Sequence, residues 1–296
     1  MNNRIKKYLI IIIGLLLICA FLFGIIWFQE RTSGSLEITF FDVGQGDSII
    51  IQTPSNHTIL IDGGPDSSVL SKLGRAMPFY DHTIDLMVLT HAHSDHVAGL
   101  VEVVKRYEIE KVLYTGVPHT SPDFIAWQDL IEEKGIAMVV AQAGQEFLFD
   151  QVEFEVLYPF EDVSGQKFED LNDSSIVMRM DYQDTSYLFT GDAPVEVEEE
   201  LLGYYNLLGS SDPSYPLECD VLKVGHHGSK YSSSLEFVQT VGPEYAVIQV
   251  GEGNRFGHPH KMIIKRLEGL GIEVLRNDEM GDIKMVSDGE GVWVEQ

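Results

Sequence analysis

The chain has 296 residues, 44% of them hydrophobic, and a formal net charge of −26. This length allows one large domain or two small ones, and the apolar content is sufficient for a substantial core. The strong negative charge argues against loose, sequence-independent binding of long nucleic acid, because such binding normally depends on a basic surface.

The first thirty residues differ from the rest of the chain. Residues 8–28 form an uncharged apolar run, about as long as the ~20 residues that a helix needs to cross a bilayer. Arg4, Lys6 and Lys7 precede this run, and Arg31 follows it. The excess of cations on the N-terminal side predicts a transmembrane helix with its N-terminus in the cytoplasm.

This topology divides the chain into four segments. They are a short cytoplasmic basic segment at 1–7, the transmembrane helix at 8–28, a linker at 29–35 that includes Ser33, and an extracellular domain at 36–296. Residues 1–34 carry four Lys or Arg against one Glu, so the rest of the chain has a formal charge of −29. We therefore expect a single-pass protein of the cell membrane with an acidic external domain.

Two alternatives for the N-terminal run are disfavoured. A cleaved signal peptide normally has a shorter apolar run, and this one ends in Trp27-Phe28 without an A-x-A-like site. Lipid modification of Cys19 is disfavoured because the bulky Ile18 precedes it. Since the chain has two cysteines and Cys19 lies in the run, no disulfide is expected within the domain, and Cys219 is interpreted as a small core residue.

Beyond the linker, short apolar runs alternate with turn signals, and amphipathic helical stretches lie among them. Strands are predicted at 36–41, 48–52, 58–61, 84–89, 152–157, 176–182, 186–190 and 219–224. Helices are predicted at 97–107, 122–134 and 261–267. The pattern favours one α/β domain made of two related β-rich halves, with helices on the outside.

Four potential metal ligands follow the strand at 84–89 within six residues, and they are His91, His93, Asp95 and His96. If strand alternation continues, His91 and His93 point to the same side and reach one ion. Asp95 and His96, beyond the strand end, turn toward a second ion. Imidazole and carboxylate ligands suit zinc, manganese or iron, so this spacing predicts a dinuclear metal site.

This segment is one of seven motifs that share a characteristic order along the chain. They are 42–47 (DVGQGD), 62–64 (DGG), 90–96 (THAHSDH), 172–175 (NDSS), 190–192 (TGD), 222–229 (LKVGHHGS) and 254–259 (NRFGHP). Together they resemble the metallo-β-lactamase fold, an αββα sandwich with a dinuclear site at the edge between its sheets. More closely, they resemble the hydrolase domain of the ComEC family of DNA-uptake channels, although one membrane helix is predicted here instead of many.

The resemblance implies a set of ligands for two ions. His91 and His93 hold metal one, Asp95 and His96 hold metal two, and Asp192 bridges both. A bridging carboxylate keeps two cations about 3.5–4 Å apart, the spacing at which they share a hydroxide and clamp a phosphoryl group. Without the family match, a simple turn carboxylate would be the commoner interpretation of Asp192.

The last ligand of metal two lies in the motif at 222–229. His226 is preferred over His227 because it is the first residue past a glycine at a strand end. His227 would then pack beneath His226 or contact the substrate. Both neighbours stay open as alternatives.

One usual ligand of metal one is missing from the sequence. The fold normally supplies a further histidine before the bridging carboxylate, but no histidine occurs between His119 and His226. Asn172 or Asp173 occupies the corresponding region. Metal one is then expected to be held more weakly, to have more oxygen ligands, or to be manganese in place of zinc.

Five more residues are expected to support the reaction. Asp62 is predicted to orient a metal-bound imidazole from the second coordination shell, and Asp47 either does the same or belongs to a turn. Ser229 and Asn254 are predicted to bind substrate. His258 donates a proton to the leaving oxygen, hydrogen-bonds a phosphate, or simply leads into the helix at 261–267.

The implied chemistry is phosphodiester hydrolysis by a shared hydroxide, with Asp95, His227 and His258 as catalytic residues. Two divalent cations add about +4 locally, so the acidic surface does not exclude a phosphodiester, possibly DNA. An external nuclease is the form that the resemblance favours. The alternatives are a small or cell-surface phosphodiester, a lactam or lactone, and a non-catalytic accessory protein of DNA uptake. A monomer without a stable protein partner is expected.

Overall fold

The computed structural model describes residues 3–32, 34–207 and 216–295. Residues 1–2, Ser33 of the predicted linker, 208–215 and 296 lie outside the described residues. Helix α1 (Asn3–Thr32) contains the predicted transmembrane run and continues through residues 29–32. By length and composition, its segment Lys6–Gly24 is compatible with crossing a bilayer.

The first main sheet contains strands from both ends of the domain. They are β1 (Leu36–Phe40), β2 (Ile49–Gln52), β3 (Thr58–Ile61), β5 (Leu86–Leu89), β7 (Lys111–Tyr114), β8 (Ala137–Val140), β16 (Ile283–Ser287) and β17 (Val292–Glu295). Their order is β17-β16-β1-β2-β3-β5-β7-β8. The pairs from β3 to β8 are parallel and the others antiparallel.

The second main sheet is built from the middle of the chain. Its strands are β9 (Glu146–Phe149), β10 (Val152–Tyr158), β11 (Val177–Tyr182), β12 (Thr185–Phe189), β13 (Val221–Lys223), β14 (Tyr245–Ile248) and β15 (Glu273–Arg276). They lie in the order β15-β14-β13-β12-β11-β10-β9, and the pairs from β12 to β15 are parallel. Strands β4 (Thr83–Ile84) and β6 (Glu108–Ile109) form a separate short pair.

Helices cover the outer face of each sheet. Helices α2 (Ser68–Ala76), α3 (Ser94–Arg106) and α4 (Pro122–Lys134) pack on the first sheet. Helices α5 (Val195–Leu207), α6 (Leu235–Val241) and α7 (Lys261–Gly269) pack on the second, and the short α8 (Asn277–Met280) follows β15. A central core between the sheets completes the predicted αββα order, which is confirmed.

The strands form because their apolar residues pack on both sides, into the core between the sheets and into the core under the helices. On β2, Ile49 and Ile51 lie in the central core, whereas Ile50 packs under the helices. On β1, Leu36, Ile38 and Phe40 are buried in alternation. A sheet covered on both faces therefore reads as a nearly continuous apolar run, and one covered less completely reads as alternation.

The predicted elements agree in type with the structure. The strand at 58–61 and the helix at 122–134 match β3 and α4, and the other boundaries differ by one to three residues. The strand predicted at 84–89 is divided at Asp85, whose carboxylate accepts a hydrogen bond from the backbone N–H of Thr58 at 2.7 Å. The predicted elements did not include helices α2, α5, α6 and α8 or strands β6–β9 and β14–β17.

Candidate metal centre

The predicted ligands follow neighbouring strands in each sheet. Asp62 follows β3 and His91 follows β5, whereas Asp192 follows β12 and residues 226–227 follow β13. Because β3 pairs with β5 and β12 with β13 in parallel, each pair brings its carboxyl ends to one edge. The two edges meet where Oδ2 of Asp192 lies 3.4 Å from Nε2 of His96.

The turn between β1 and β2 packs directly against the HxHxDH segment. Gly46 has φ +151°, and a Cβ atom there would lie 2.3 Å from the backbone oxygen of Asp95. The backbone N–H of Asp47 donates a hydrogen bond to the same oxygen at 3.3 Å. The glycine thus permits the close approach that brings the Asp47 carboxylate into the centre.

The histidines of the HxHxDH segment converge at the start of α3. Nε2 of His91 lies 3.0 Å from Nδ1 of His93, and the rings of His91 and His96 are 4.1 Å apart. His93 occupies the N-cap of α3 but makes no capping hydrogen bond with its side chain. Its imidazole is therefore free to face His91.

Asp62 orients the buried ring of His96. One carboxylate oxygen accepts a hydrogen bond from the Thr90 backbone N–H at 2.9 Å, and the other lies 2.7 Å from both the Thr90 hydroxyl and Nδ1 of His96. Burial raises the pKa of Asp62, with His96 opposing it. Holding Nδ1 in this way directs Nε2 of His96 toward Asp192, as carboxylate partners do for metal-bound histidines.

Asp192 lies at the middle of the centre. Its Oδ2 is 3.4 Å from Nε2 of His96 and 3.5 Å from Nε2 of His227, and its backbone N–H donates to the Ser175 hydroxyl at 3.2 Å. Burial alone would raise the pKa of Asp192, but His227, His96 and Lys223 hold it well below the usual value. Its position between histidines of the two sheets suits a carboxylate shared by two cations.

The preference for His226 over His227 differs from the observed geometry. Nε2 of His227 lies 3.4 Å from Oδ2 of Asp95 and joins the group of Asp95 and His96, whereas the ring of His226 faces Asn172 at 3.3 Å. Both histidines have left-handed backbones, with φ 48° and 53°. This turn directs the second ring inward, which a simple strand-end argument does not anticipate.

Asp47 supports His227 as Asp62 supports His96. Its Oδ1 lies 3.2 Å from Nδ1 of His227, which also lies 2.9 Å from the Gln249 carbonyl oxygen. Burial would lower the pKa of His227, but Asp192 and Asp47 raise it to about 10. Asp47 therefore does more than form a turn.

Lys223 was not among the predicted site residues. It is fully buried, contacts the Asp47 carboxylate, and places Nζ 2.5 Å from the Gly191 carbonyl oxygen and 3.5 Å from Oδ1 of Asp192. A lysine inside the predicted buried strand 219–224 was the available signal, because lysine is almost never fully buried without a partner.

The structure separates the two residues proposed for the missing ligand. Asn172 is buried beside His226, and its Oδ1 has no hydrogen-bond partner among the described residues. Asp173 is only partly buried and joins none of the described histidine–carboxylate groups. Asn172, rather than Asp173, is thus the residue placed beside the centre.

The loop at 251–258 brings His258 to the mouth of the site. Its ring lies 5.6 Å from that of His226 and 6.4 Å from that of His227. Burial and these two histidines lower the pKa of His258 to about 4, which leaves a neutral imidazole at neutral pH. Such a ring acts as a hydrogen-bond donor more readily than as a strong acid.

Asn254 and Ser229 have structural contacts in addition to their predicted contact with substrate. Oδ1 of Asn254 accepts from the backbone N–H groups of Phe256 and His258, each at 3.1 Å, and Nδ2 donates to carbonyl oxygens of the same loop. Ser229 is buried, and its hydroxyl accepts from the Tyr231 backbone N–H at 3.3 Å. Both side chains hold loops in place.

The donor atoms fit divalent cations. Within the described residues, Nε2 of His96 and Nε2 of His227 are buried without a hydrogen-bond partner. Four overlapping groups place their ligand atoms within 4.8 Å of one another, and they are His91–His96–Asp192, Asp95–His96–His227, Asp47–Asp62–His96 and Asp47–Asp192–His227. Nitrogen and oxygen donors of this kind suit zinc, manganese or iron.

Comparison with curated proteins identifies the relatives of this chain. It is 29% identical over 284 residues to ComE operon protein 3 of Bacillus subtilis (strain 168), covering 90% of this chain and 35% of that protein. It is 32% identical over 251 residues to competence protein ComA of Neisseria gonorrhoeae, covering 83% and 32%. The chain thus spans about a third of the length of these ComEC-family competence proteins, and the predicted resemblance is confirmed.

Solved structures share the fold at low sequence identity. The metallo-beta-lactamase fold protein YhfI of Bacillus subtilis superposes with a TM-score of 0.52 at 14% identity, over 81% of this chain and 96% of that one. The metallo hydrolase Igni18 of Ignicoccus hospitalis gives 0.51 at 17% identity, over 84% and 98%. Residues 41–252 match the family described as the metallo-beta-lactamase superfamily. The chain belongs to this superfamily, whose members are typically metal-dependent hydrolases.

Proposed function

We propose that this chain is a membrane-anchored, extracellular phosphodiesterase that acts on nucleic acid. The observation that carries the proposal is the set of overlapping buried histidine–carboxylate groups around Asp192. Two divalent cations held there, zinc or manganese, would activate water and stabilise negative charge on a phosphoryl group. The curated name of one relative, a competence protein, supports a role connected with competence.

The proposed ligand roles combine the observed contacts with the resemblance to the family. His91, His93 and Asn172 are assigned to metal one, Asp95, His96 and His227 to metal two, and Asp192 to both. Asp62 holds Nδ1 of His96, and the Gln249 carbonyl oxygen with the nearby Asp47 carboxylate holds Nδ1 of His227, so that each Nε2 stays directed toward the centre. His258 is assigned to hydrogen bonding with the phosphate or the leaving oxygen.

A phosphodiester is favoured over a lactam or lactone by the cations at the mouth of the site. Arg255 lines a cavity together with Asp95, and Lys167 lines another together with His93. Guanidinium and ammonium groups bind phosphate oxygens through charge-assisted hydrogen bonds. A neutral lactam ring would gain less from these side chains.

The membrane location is part of the same proposal. Helix α1 supports anchoring through its segment Lys6–Gly24. Arg4, Lys6 and Lys7 before the apolar run support a cytoplasmic N-terminus, which would place the domain outside. We further propose a monomer without a stable protein partner.

Hydrolysis by the full chain, purified in detergent and loaded with manganese or zinc, tests the proposal. The substrates are bis-p-nitrophenyl phosphate, single-stranded DNA and a chromogenic lactam. Asp95→Ala removes a carboxylate from the first turn of α3, and Asp123→Ala removes one from the first turn of α4 as a matched control.

We expect both phosphodiesters to be cleaved, with Asp95→Ala inactive but folded and Asp123→Ala fully active. Cleavage of the small diester alone would retain a phosphodiesterase but remove nucleic acid as the substrate. Hydrolysis of the lactam alone would overturn the proposal. No hydrolysis of any substrate by protein loaded with metal would favour a non-catalytic accessory protein.

A further inference from the structure

Two separate cavities adjoin the HxHxDH segment. The larger, about 500 Å³, is lined by Asp95, Gln45, Pro65, Arg255 and Phe256 among others. The smaller, about 360 Å³, is lined by His93, His119, Lys167 and Phe168 among others. Both volumes fall within the range of about 300–1,000 Å³ that is usual for small-ligand sites. Because His93 and Asp95 are two positions apart, the two cavities adjoin the same short segment of the chain.

Each cavity combines an aromatic ring with a neighbouring cation. Phe256 is 55% exposed, and the guanidinium carbon of Arg255 lies 5.0 Å from its ring centroid. In the smaller cavity, the half-buried Phe168 follows the exposed Lys167. Aromatic faces stack on nucleobases, and arginine or lysine neutralises the adjoining phosphates. The repeated pairing is suited to two nucleotides of one strand.

Phe256 is held in a fixed relation to the metal centre. Its ring stacks on that of His258, with centroids 5.9 Å apart and planes inclined by 25°. Asn254 fixes the same loop through the backbone N–H groups of both residues. A base bound on Phe256 would therefore be positioned relative to the histidines that His258 adjoins, His226 and His227.

Positive charge at this mouth stands out in an acidic chain, which has 20 Lys and Arg against 46 Asp and Glu. Lys72, Arg179 and Arg276 form ion pairs. Within the described part of the chain, Arg255 and Lys167 form none, which they share with other surface cations such as Arg75; what distinguishes them is their place in the cavities of Asp95 and His93. Unpaired cations beside the centre offer a local path for a phosphate backbone. Glu169 and Asp170 also line the smaller cavity, so the cavity of Arg255 is expected to contribute more.

We propose that these cavities are two nucleoside subsites for a single-stranded polynucleotide that crosses the metal centre. The proposal rests on the proposed phosphodiesterase function. One base stacks on Phe256 in place of the Arg255 guanidinium, which moves from the ring to the adjoining phosphate. A neighbouring nucleotide occupies the cavity of Phe168 and Lys167. The phosphate between them lies at the metal centre. A paired duplex keeps its bases stacked inside, so an unpaired strand is the form that enters.

A third cavity supplies a matched control. It has about 610 Å³, contains no predicted metal ligand, and is lined by Arg75 and by Phe79, which is 90% exposed. It thus offers the same pair of side-chain types, an arginine and a phenylalanine, away from the metal centre. If an exposed aromatic ring and a cation were sufficient, Phe79→Ala would weaken the binding of a strand as much as Phe256→Ala.

The test compares an oligothymidylate with an abasic oligomer of the same length, which keeps the phosphates and lacks the bases. The full chain in detergent and the variants Phe256→Ala, Phe168→Ala and Phe79→Ala are measured. Binding is followed by fluorescence anisotropy with chelator present, and hydrolysis is followed with manganese. The ratio of the two oligomers reports base stacking separately from the charge of the backbone.

We expect the unmodified chain to favour the oligothymidylate by about 5- to 150-fold in binding. This ratio should fall toward one in Phe256→Ala, fall less in Phe168→Ala, and stay unchanged in Phe79→Ala. A ratio near one in the unmodified chain, or equal losses in all three variants, would refute the subsites. If binding shows the expected pattern but neither oligomer is cleaved, the proposed function fails while the subsites stand. If both oligomers are cleaved at equal rates and the binding ratio is near one, the subsites fail while the phosphodiesterase function stands.

Discussion

The two walls of the metal centre are built in different ways. The first wall is the segment 91–96, which joins β5 to α3 and has no residue with positive φ among its described positions. The second wall is assembled from separate places, Asp192 after β12, Lys223 on β13 and the pair 226–227 beyond it. It includes left-handed histidines and a buried lysine.

The difference shows that the side chains of the two walls are positioned by different kinds of interaction. A strand end followed by a helix positions the first wall locally. Changing its partly buried members His93 and Asp95 should therefore remove metal ligands and disturb the fold little, whereas His96 shares the buried charges of the second wall. The second wall depends on buried charges that neutralise one another across the interior. Removing one of these charges should therefore affect folding as well as metal binding.

The largest effect is expected at the residue where the walls meet. Asp192→Ala removes the carboxylate that faces His96 and His227, so both cations should be lost and hydrolysis should fall by more than about 1,000-fold. Metal analysis after gel filtration and initial rates measure the two losses. Asp184→Ala, in the exposed turn before β12, is the control. Retention of two metals per chain in Asp192→Ala would contradict a shared carboxylate.

Lys223→Met tests how much the buried charges of the second wall contribute to stability. It removes the lysine cation from the buried carboxylates of Asp47 and Asp192 and leaves only histidines beside them, which should lower the free energy of unfolding by about 3–5 kcal/mol. Urea unfolding with chelator present measures this change. Adding Asp47→Asn to the variant should restore part of the loss, because one unpaired charge is then removed. A loss below about 1 kcal/mol, the range of surface ion pairs, would show that the buried Lys223 does not stabilise the second wall.

The neighbouring histidines provide a direct comparison within the second wall. His227→Ala should lose one of two metals, whereas His226→Ala should keep both, since only the ring of His227 faces Asp95 and Asp192. His226→Gly should unfold at higher urea than His226→Ala, because glycine avoids about 1 kcal/mol of left-handed strain. Loss of a metal from the His226 variants and not from His227→Ala would restore the original preference.

The smallest effect is expected behind the first wall. Asp62→Ala frees Nδ1 of His96 and should weaken binding of the second metal by about 10- to 100-fold without abolishing it. Titration against a competing chelator measures the affinity, and Asp66→Ala in the exposed turn nearby serves as the control. An unchanged affinity would show that the fold alone orients the His96 ring.

Much of the first wall could be predicted because its information is local. The four candidate ligands of 91–96 stand within one short segment and could be identified from it, although β5 ends at Leu89 and α3 already begins at Ser94, so strand alternation does not set their directions. His227 could not be chosen over His226, because their orientation depends on backbone angles that the neighbouring sequence does not fix. Lys223 was overlooked, since its partners Asp47 and Asp192 are distant in the chain and meet it only after folding.

The fold shows the same division. Runs of apolar residues predicted about half of the strands, β1–β3, β5 and β10–β13, because each of these buries one or both faces. Helix α5 was missed because its sequence is rich in glutamate and lacks a clear apolar stripe. The pairing of β1 with β16 is not predictable from either strand alone, since it joins Leu36 to Ser287.

This pairing also bears on how the protein is made. While the chain emerges residue by residue, β1 presents one open edge until residues 283–287 are synthesised, although the HxHxDH segment is already complete. An unpaired strand edge invites association with other chains, and contacts between distant residues form slowly. The nascent domain is therefore expected to depend on assisted folding, and changes at β16 should reduce yield more than they reduce the activity of the molecules that mature.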